Sequence, residues 1–196
     1  FSEQEGDRAK ALEGLQKSLA RLSSAGNLPD VAWCHAEHRN RRFFFVHLSG
    51  DYIPAKIAEK KQFYESPFLN LLARLHQPGR LIVDGGANIG NHSVFFAGVI
   101  GAPVVAFEPQ PHNFELLLAN LHLNRLEEKV DARNIAIGER TGRIELVQAM
   151  QDNFGSFTAD PAFLQKTMGT GNSVDKFEVS LATLDEELAN FRDSIS

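Results

Sequence analysis

One cysteine stands in the whole chain, Cys34, so no intrachain disulfide can form, and no Cys/His cluster has the spacing of a zinc site. Such usage suits a reducing, cytoplasmic compartment. Long apolar runs are missing too: the stretch from Val94 to Ile100 is among the longest, far short of the ~20 residues that cross a bilayer. No charged-then-apolar leader opens the chain, so a membrane is not expected as a partner. Twenty Lys and Arg against 25 Asp and Glu leave a net charge of only −5, which gives no general attraction to nucleic acid or an anionic membrane. The expected partner is a small molecule. What is present, 43% apolar and 23% charged residues over 196 positions, describes a globular sequence with enough apolar material for one core of ordinary domain size. The chain starts at Phe1 without a methionine, which reads as a piece cut from something longer.

Three regions follow one another. In residues 1–30, Leu12, Leu15, Leu19 and Leu22 recur at spacings of three and four, which predicts an amphipathic helix stopping near Gly26-Asn27-Leu28-Pro29. Its apolar face is expected to dock on the domain, with a short coiled-coil homodimer contact or the tail of a linker from a preceding domain as alternatives. Residues 31–80 hold a strand at Phe43-Phe44-Phe45-Val46, a turn at Ser49-Gly50-Asp51 and a helical stretch over 56–75. The basic run His38-Arg39-Asn40-Arg41-Arg42 is expected as a solvated strand end, with an anion-facing patch as the sharper alternative. Trp33 and Cys34 are expected in the core. From residue 81 on, strands and helices alternate. Strand 81–84, helix 91–100, strand 103–107, helix 111–125 and strand 130–137 predict an α/β fold with a doubly wound, Rossmann-like parallel sheet. Two further strands, 143–148 and 177–181, flank a long stretch of Gly, Ser, Thr and Asn over 152–175.

The most informative residues are Leu81-Ile82-Val83-Asp84-Gly85-Gly86-Ala87-Asn88-Ile89-Gly90: an apolar strand that ends on a carboxylate and enters a glycine-rich turn. A second acid, Glu108, closes the next strand. In a parallel sheet, ligands sit beyond the carboxyl ends of the strands, where Asp84, Glu108 and the residues after Asn134 converge. A dinucleotide would bring its pyrophosphate close to the Asp84 charge, an unfavourable pairing. S-adenosylmethionine has no phosphate and carries an ammonium and a sulfonium, which an acid attracts. Ala87 also takes the place of the second glycine of a dinucleotide fingerprint. Glu108 does not discriminate, since a ribose diol wants acceptor oxygens in either cofactor. An NAD-dependent dehydrogenase and a non-catalytic nucleotide-binding or assembly module remain as alternatives.

The run Val83 to His92, followed by Val105-Ala106-Phe107-Glu108-Pro109-Gln110-Pro111, Asn113-Phe114, Leu117, Asn120, Asn124, Ala136-Ile137-Gly138 and Thr141-Gly142, resembles the FkbM-type S-adenosylmethionine-dependent methyltransferases. The resemblance implies that Asp84, Gly85, Gly86, Asn88 and Gly90 hold the methionyl part. By the same resemblance Glu108 with Pro109 binds the ribose, and Asn134, Ile135 and Ala136 border the adenine. It implies O-methylation of a hydroxyl on a sugar, polyketide or other secondary metabolite, with S-adenosylmethionine as cofactor and no metal. Asp152, Asn153, Gly155 and Ser156 resemble a family motif suited to a loop closing over the methyl group. Asn88 or Asn91 is expected to cap the helix after the turn. His92 and His112 lie where a general base would, but each reads more simply as a surface or helix-start histidine, so no catalytic residue is named.

The family pattern continues past Leu184-Asp185 into further strands, whereas this chain stops at Ser196. The methyltransferase domain, 81–196, is therefore expected to be incomplete. A usual strand order would leave strand 81–84 as an exposed apolar edge. Strand 177–181, or a second copy in a homodimer, would cover it. Weak or no methyl transfer is expected of the chain by itself.

Overall fold

The computed structural model describes residues 30–148, 157–158 and 176–191. The helix expected from the leucine pattern and the residues Asp152, Asn153, Gly155 and Ser156 lie outside the described residues.

The described chain begins as an antiparallel hairpin, β1 (Val31–His38) and β2 (Arg41–Leu48). Its two-residue turn, Arg39-Asn40, has positive φ at both positions, +47° and +64°. That geometry matches the twist of the flanking strands, and asparagine tolerates it well. Strand alternation turns Cys34 and Ala36 inward and leaves Trp33 59% exposed, its ring 6.2 Å from that of Phe44. The expected burial of Trp33 is thus corrected: alternation puts it on the face of β1 opposite Cys34, where it stays exposed. Burial pushes the Cys34 thiol up to about 12, which keeps it protonated.

The single helix expected over 56–75 is two, α1 (Tyr52–Lys60) and α2 (Ser66–Leu75). Lys61 and Glu65 adopt left-handed backbone, φ +51° and +59°, and break the run without a glycine to announce it. Strand β3 (Ile82–Gly85) then leads through the glycine turn into α3, an α-helical turn at Asn91–Phe95 that continues as a π-helical turn over Phe96–Ile100. Next come β4 (Val104–Phe107), α4 (Pro111–Asn124) and β5 (Val130–Arg133). The three strands form a parallel sheet in the order β3-β4-β5. The fold is the expected α/β type, with helices connecting parallel strands.

The strand expected over 130–137 splits. β5 ends at Arg133, and β6 (Ala136–Ile137) joins a second sheet with β7 (Gly142–Gln148), β8 (Phe157–Thr158) and β9 (Lys176–Ala182), ordered β6-β9-β7-β8. β9 pairs with β6 and β7 and not with β3, so it does not cover the β3 edge. A short helix, α5 (Leu184–Glu187), precedes the 3₁₀ turn over Ala189–Phe191 that closes the described chain. Arg133 fastens it to β5, its guanidinium 2.6 Å from both Glu187 Oε2 and Asp131 Oδ2.

The main core is aromatic. Phe63, from the break between α1 and α2, sits with ring centroids 5.2 Å from Phe43, 6.0 Å from Phe45 and 5.1 Å from Phe95. Two asparagines on one face of α4, four residues apart, dock the helix on β2. Asn120 accepts from the Val46 N–H at 2.6 Å and donates to Val46 O and Ile89 O, while Asn124 accepts from the Phe44 N–H and donates to Phe44 O. Asn120 is fully buried. Asn120→Ala orphans three buried backbone groups, so urea unfolding is expected to show a loss of about 2 kcal/mol. An unchanged midpoint would mean that water replaces the amide.

Candidate functional site

The apolar run Ile82-Val83 extends as β3 because Val104 and Val105 of β4 pair beside it, and the pairing carries Asp84 alongside Ala106 at the end of the sheet. The turn that follows is laid across the end of β4: the N–H groups of Gly86 and Ala87 both donate to Phe107 O, at 2.8 and 2.9 Å. Gly86 has φ +79° and Gly90 +90°, left-handed values that favour glycine, and Asn88 joins them at +52°. Gly85 and Gly86 are exposed, and a Cβ at either would meet nothing within 4 Å. The space above the turn is therefore open. Gly90 is the opposite case, since a Cβ there would come within 2.6 Å of Leu117 Cδ1 on α4. Gly90→Ala combines that overlap with a strained φ and is expected to lower stability by about 2 kcal/mol in chemical denaturation.

Both strand-terminal acids are buried. Asp84 is 6% exposed and accepts from the Ser93 hydroxyl at 2.6 Å. Burial raises its carboxyl above the ordinary value, against the opposing pull of Ser93 and His92. Glu108 is 5% exposed; Oε2 accepts from the Asn88 N–H at 2.7 Å and Oε1 from the Gln110 N–H at 2.9 Å. Burial lifts it to about 7, with the nearby Asp84 charge adding to the rise. The Glu108 carboxylate thus bridges the glycine turn to the loop after β4. That loop is fixed in turn by Asn134, whose amide donates to Glu108 O at 2.8 Å and Pro109 O at 3.1 Å.

Asp84, Gly85, Gly86, Asn88, Gly90, Glu108 and Pro109 are therefore brought to one end of the parallel sheet, joined by Asn134 through its bonds to the Glu108 loop. Ile135 lies between the two sheets, partly buried against the cluster of Leu81, Val105, Phe107 and Leu188, and Ala136 is buried as the first residue of β6. The expected helix cap is corrected. Gly90 occupies the cap position without a side-chain bond, and Asn88 accepts from the adjacent Ile89 N–H. Asn91 spends both side-chain atoms on the backbone of Tyr64, 3.0 and 3.1 Å away, and so clamps the break before α2. Ser93, which holds Asp84, was not among the residues read from sequence; its place one helical turn past Gly90 was the available signal. His92 faces Glu65 at 3.2 Å, and His112 packs edge-on against Phe177, ring centroids 5.4 Å apart. Among the described residues no three His, Cys, Asp or Glu side chains form a group fit to hold a metal, and no helix is long and apolar enough to cross a membrane.

An α/β domain whose first two parallel strands each carry a buried carboxylate to a glycine turn has the layout of a nucleoside-cofactor site. Residues 84–195, more than half of the chain, match the model of the methyltransferase FkbM domain. The chain belongs to that family, whose cofactor is S-adenosylmethionine. It is also 38% identical over 64 residues to a Pyrococcus horikoshii tRNA(Phe) (4-demethylwyosine(37)-C(7)) aminocarboxypropyltransferase, covering 33% of this chain and 23% of that one. The chain thus spans about a quarter of the length of this curated relative. Two solved structures are similar to it over part of their length. P. horikoshii TYW2 in complex with MeSAdo is 22% identical with a TM-score of 0.37, over 52% of this chain and 35% of that one. The T. thermophilus 16S rRNA methyltransferase RsmC, in complex with AdoMet and guanosine, is 17% identical with a TM-score of 0.41, over 81% and 53%.

Proposed function

We propose that this chain binds S-adenosylmethionine over the glycine turn and serves methyl transfer to a hydroxyl of a small molecule such as a sugar, polyketide or other secondary metabolite. The observation that carries the reading is the pair of buried carboxylates, Asp84 and Glu108, at one open glycine turn. Asp84 draws the methionyl ammonium, directly or through water. Glu108 uses its remaining lone pairs for the two ribose hydroxyls, since each oxygen already accepts one backbone N–H and has a second site free. Asn134, Ile135 and Ala136 border the adenine.

Methyl transfer is an in-line displacement at sulfur: the acceptor oxygen forms a bond to the methyl carbon as the carbon–sulfur bond breaks, and the electron pair stays on sulfur. Alignment of acceptor and sulfonium and exclusion of water supply much of the acceleration. A base is needed only for the acceptor proton, and neither His92 nor His112 is assigned that role.

The test is a mass-spectrometric survey of small hydroxyl compounds and of tRNA incubated with the protein and S-adenosylmethionine. Gain of one CH₂ on a small hydroxyl compound supports the reading. Gain on tRNA alone, the kind of acceptor named for the archaeal relative, sinks the small-molecule acceptor while keeping the cofactor. If S-adenosylhomocysteine fails to bind at all, the assembly-module alternative stands instead.

A further inference from the structure

The basic hairpin turn does not reach the cofactor site. Arg39 and His38 instead line a cavity of about 540 Å³ with Arg74 and His76 from the end of α2, closed on the apolar side by Phe95 and Ile100 of α3. His76 lies shortly before β3 begins and Ile100 shortly before β4. The cavity therefore sits by the N-terminal ends of the two strands whose C-terminal ends carry Asp84 and Glu108.

Its charge is selective. Four of the other arginines are engaged: Arg41 donates to Gly98 O, Arg42 pairs with Glu37, Arg133 with Asp131 and Glu187, and Arg143 with Glu178. Arg39 and Arg74 have no carboxylate partner among the described residues, and no carboxylate lines the cavity, in a chain where acids outnumber Lys and Arg 25 to 20. The His76 Nδ1 is shielded from solvent without a hydrogen-bond partner among the described residues. Two guanidiniums on the lining of one cavity suit an anion with several acceptor oxygens, since the planar guanidinium fork matches a phosphoryl group. Burial and the Arg39 charge push the His38 imidazole down, so it lines the cavity as a neutral ring. The volume far exceeds that of bare phosphate and falls within the range of small-molecule sites, roughly 300–1,000 Å³. The apolar wall of Phe95 and Ile100 provides a seat for an organic body.

We infer that this cavity binds a phosphate monoester with a small aromatic or apolar body, at a site separate from the cofactor turn. A small ligand is favoured over a polymer because the volume is that of a small-molecule site.

Phenyl phosphate is the probe, titrated calorimetrically into the 196-residue protein, with inorganic phosphate, phenol and a single-stranded RNA oligonucleotide in parallel. Saturable binding of phenyl phosphate is expected, tighter than inorganic phosphate and absent for phenol. Arg39→Gln/Arg74→Gln should weaken it about tenfold or more. Should the double variant melt early because the turn is disturbed, Arg74→Gln alone, on the exposed end of α2, must still weaken binding. Four results would overturn the inference: no binding at millimolar phenyl phosphate, an affinity unchanged in the arginine variants, inorganic phosphate binding as tightly as the ester, or binding of the RNA alone.

Discussion

Glu108→Ala is expected to lower affinity for S-adenosylhomocysteine about a hundredfold, the largest effect of any single substitution at the turn. Each Glu108 oxygen already accepts one backbone N–H, from Asn88 or Gln110, so the carboxylate is held rigidly where a ribose diol would donate. Two charge-assisted bonds of about 1.5 kcal/mol each amount to about 3 kcal/mol, or about two orders of magnitude in affinity. The same substitution leaves the Asn88 and Gln110 N–H groups without their acceptor, so the melting temperature has to be followed beside the calorimetric affinity. A variant that melts like the parent and loses less than about threefold in affinity would remove Glu108 from the ribose.

A second large effect is the pH dependence of the empty protein, and its sign follows from burial. Glu108 is lifted to about 7 from an ordinary 4.5, and Asp84 moves in the same direction. A carboxyl raised in the folded state contributes stability that is fully present below its unfolded pKa and lost as pH rises through the folded one. For Glu108 this is a loss of about 3 kcal/mol between about pH 4.5 and pH 7. Subtracting the profile of Glu108→Gln, which cannot titrate, isolates it in urea unfolding measured across that window. Cofactor binding should run the other way. Ribose hydroxyls donate to the ionised form, so affinity for S-adenosylhomocysteine rises about tenfold from pH 6 to pH 8 as the competent fraction grows. A flat affinity over that range would mean that Glu108 is already ionised in the empty site.

Sequence reading reached the parts of this fold that depend on neighbours along the chain. Ile82-Val83 and Val104-Val105 are short apolar runs, each ending on an acid, and they became adjacent parallel strands with both acids buried at one end. The positive φ of Gly86 and Gly90 was legible for the same reason, because only a glycine-rich turn passes so sharply from strand to helix. What escaped was set by residues distant in sequence. Asn91 looked like a cap but is claimed by the Tyr64 backbone, 27 positions away. The run 130–137 continues to read as one strand, yet the Asn134 amide turns back to Glu108 and Pro109 and the chain changes sheet there. Lys61 and Glu65 break the helix over 56–75 in left-handed geometry that neither residue signals. Trp33 followed strand alternation outward, where hydrophobicity alone had placed it inside.

The central claim is that Asp84 selects a cationic, phosphate-free nucleoside cofactor at the glycine turn, with Glu108 beside it to hold the ribose. Equilibrium dialysis of the protein against radiolabelled S-adenosylmethionine and, in parallel, against NADH tests it most directly. Saturable retention of S-adenosylmethionine, displaced by S-adenosylhomocysteine, with no retention of NADH, is the predicted result. Retention of NADH without S-adenosylmethionine would contradict the account.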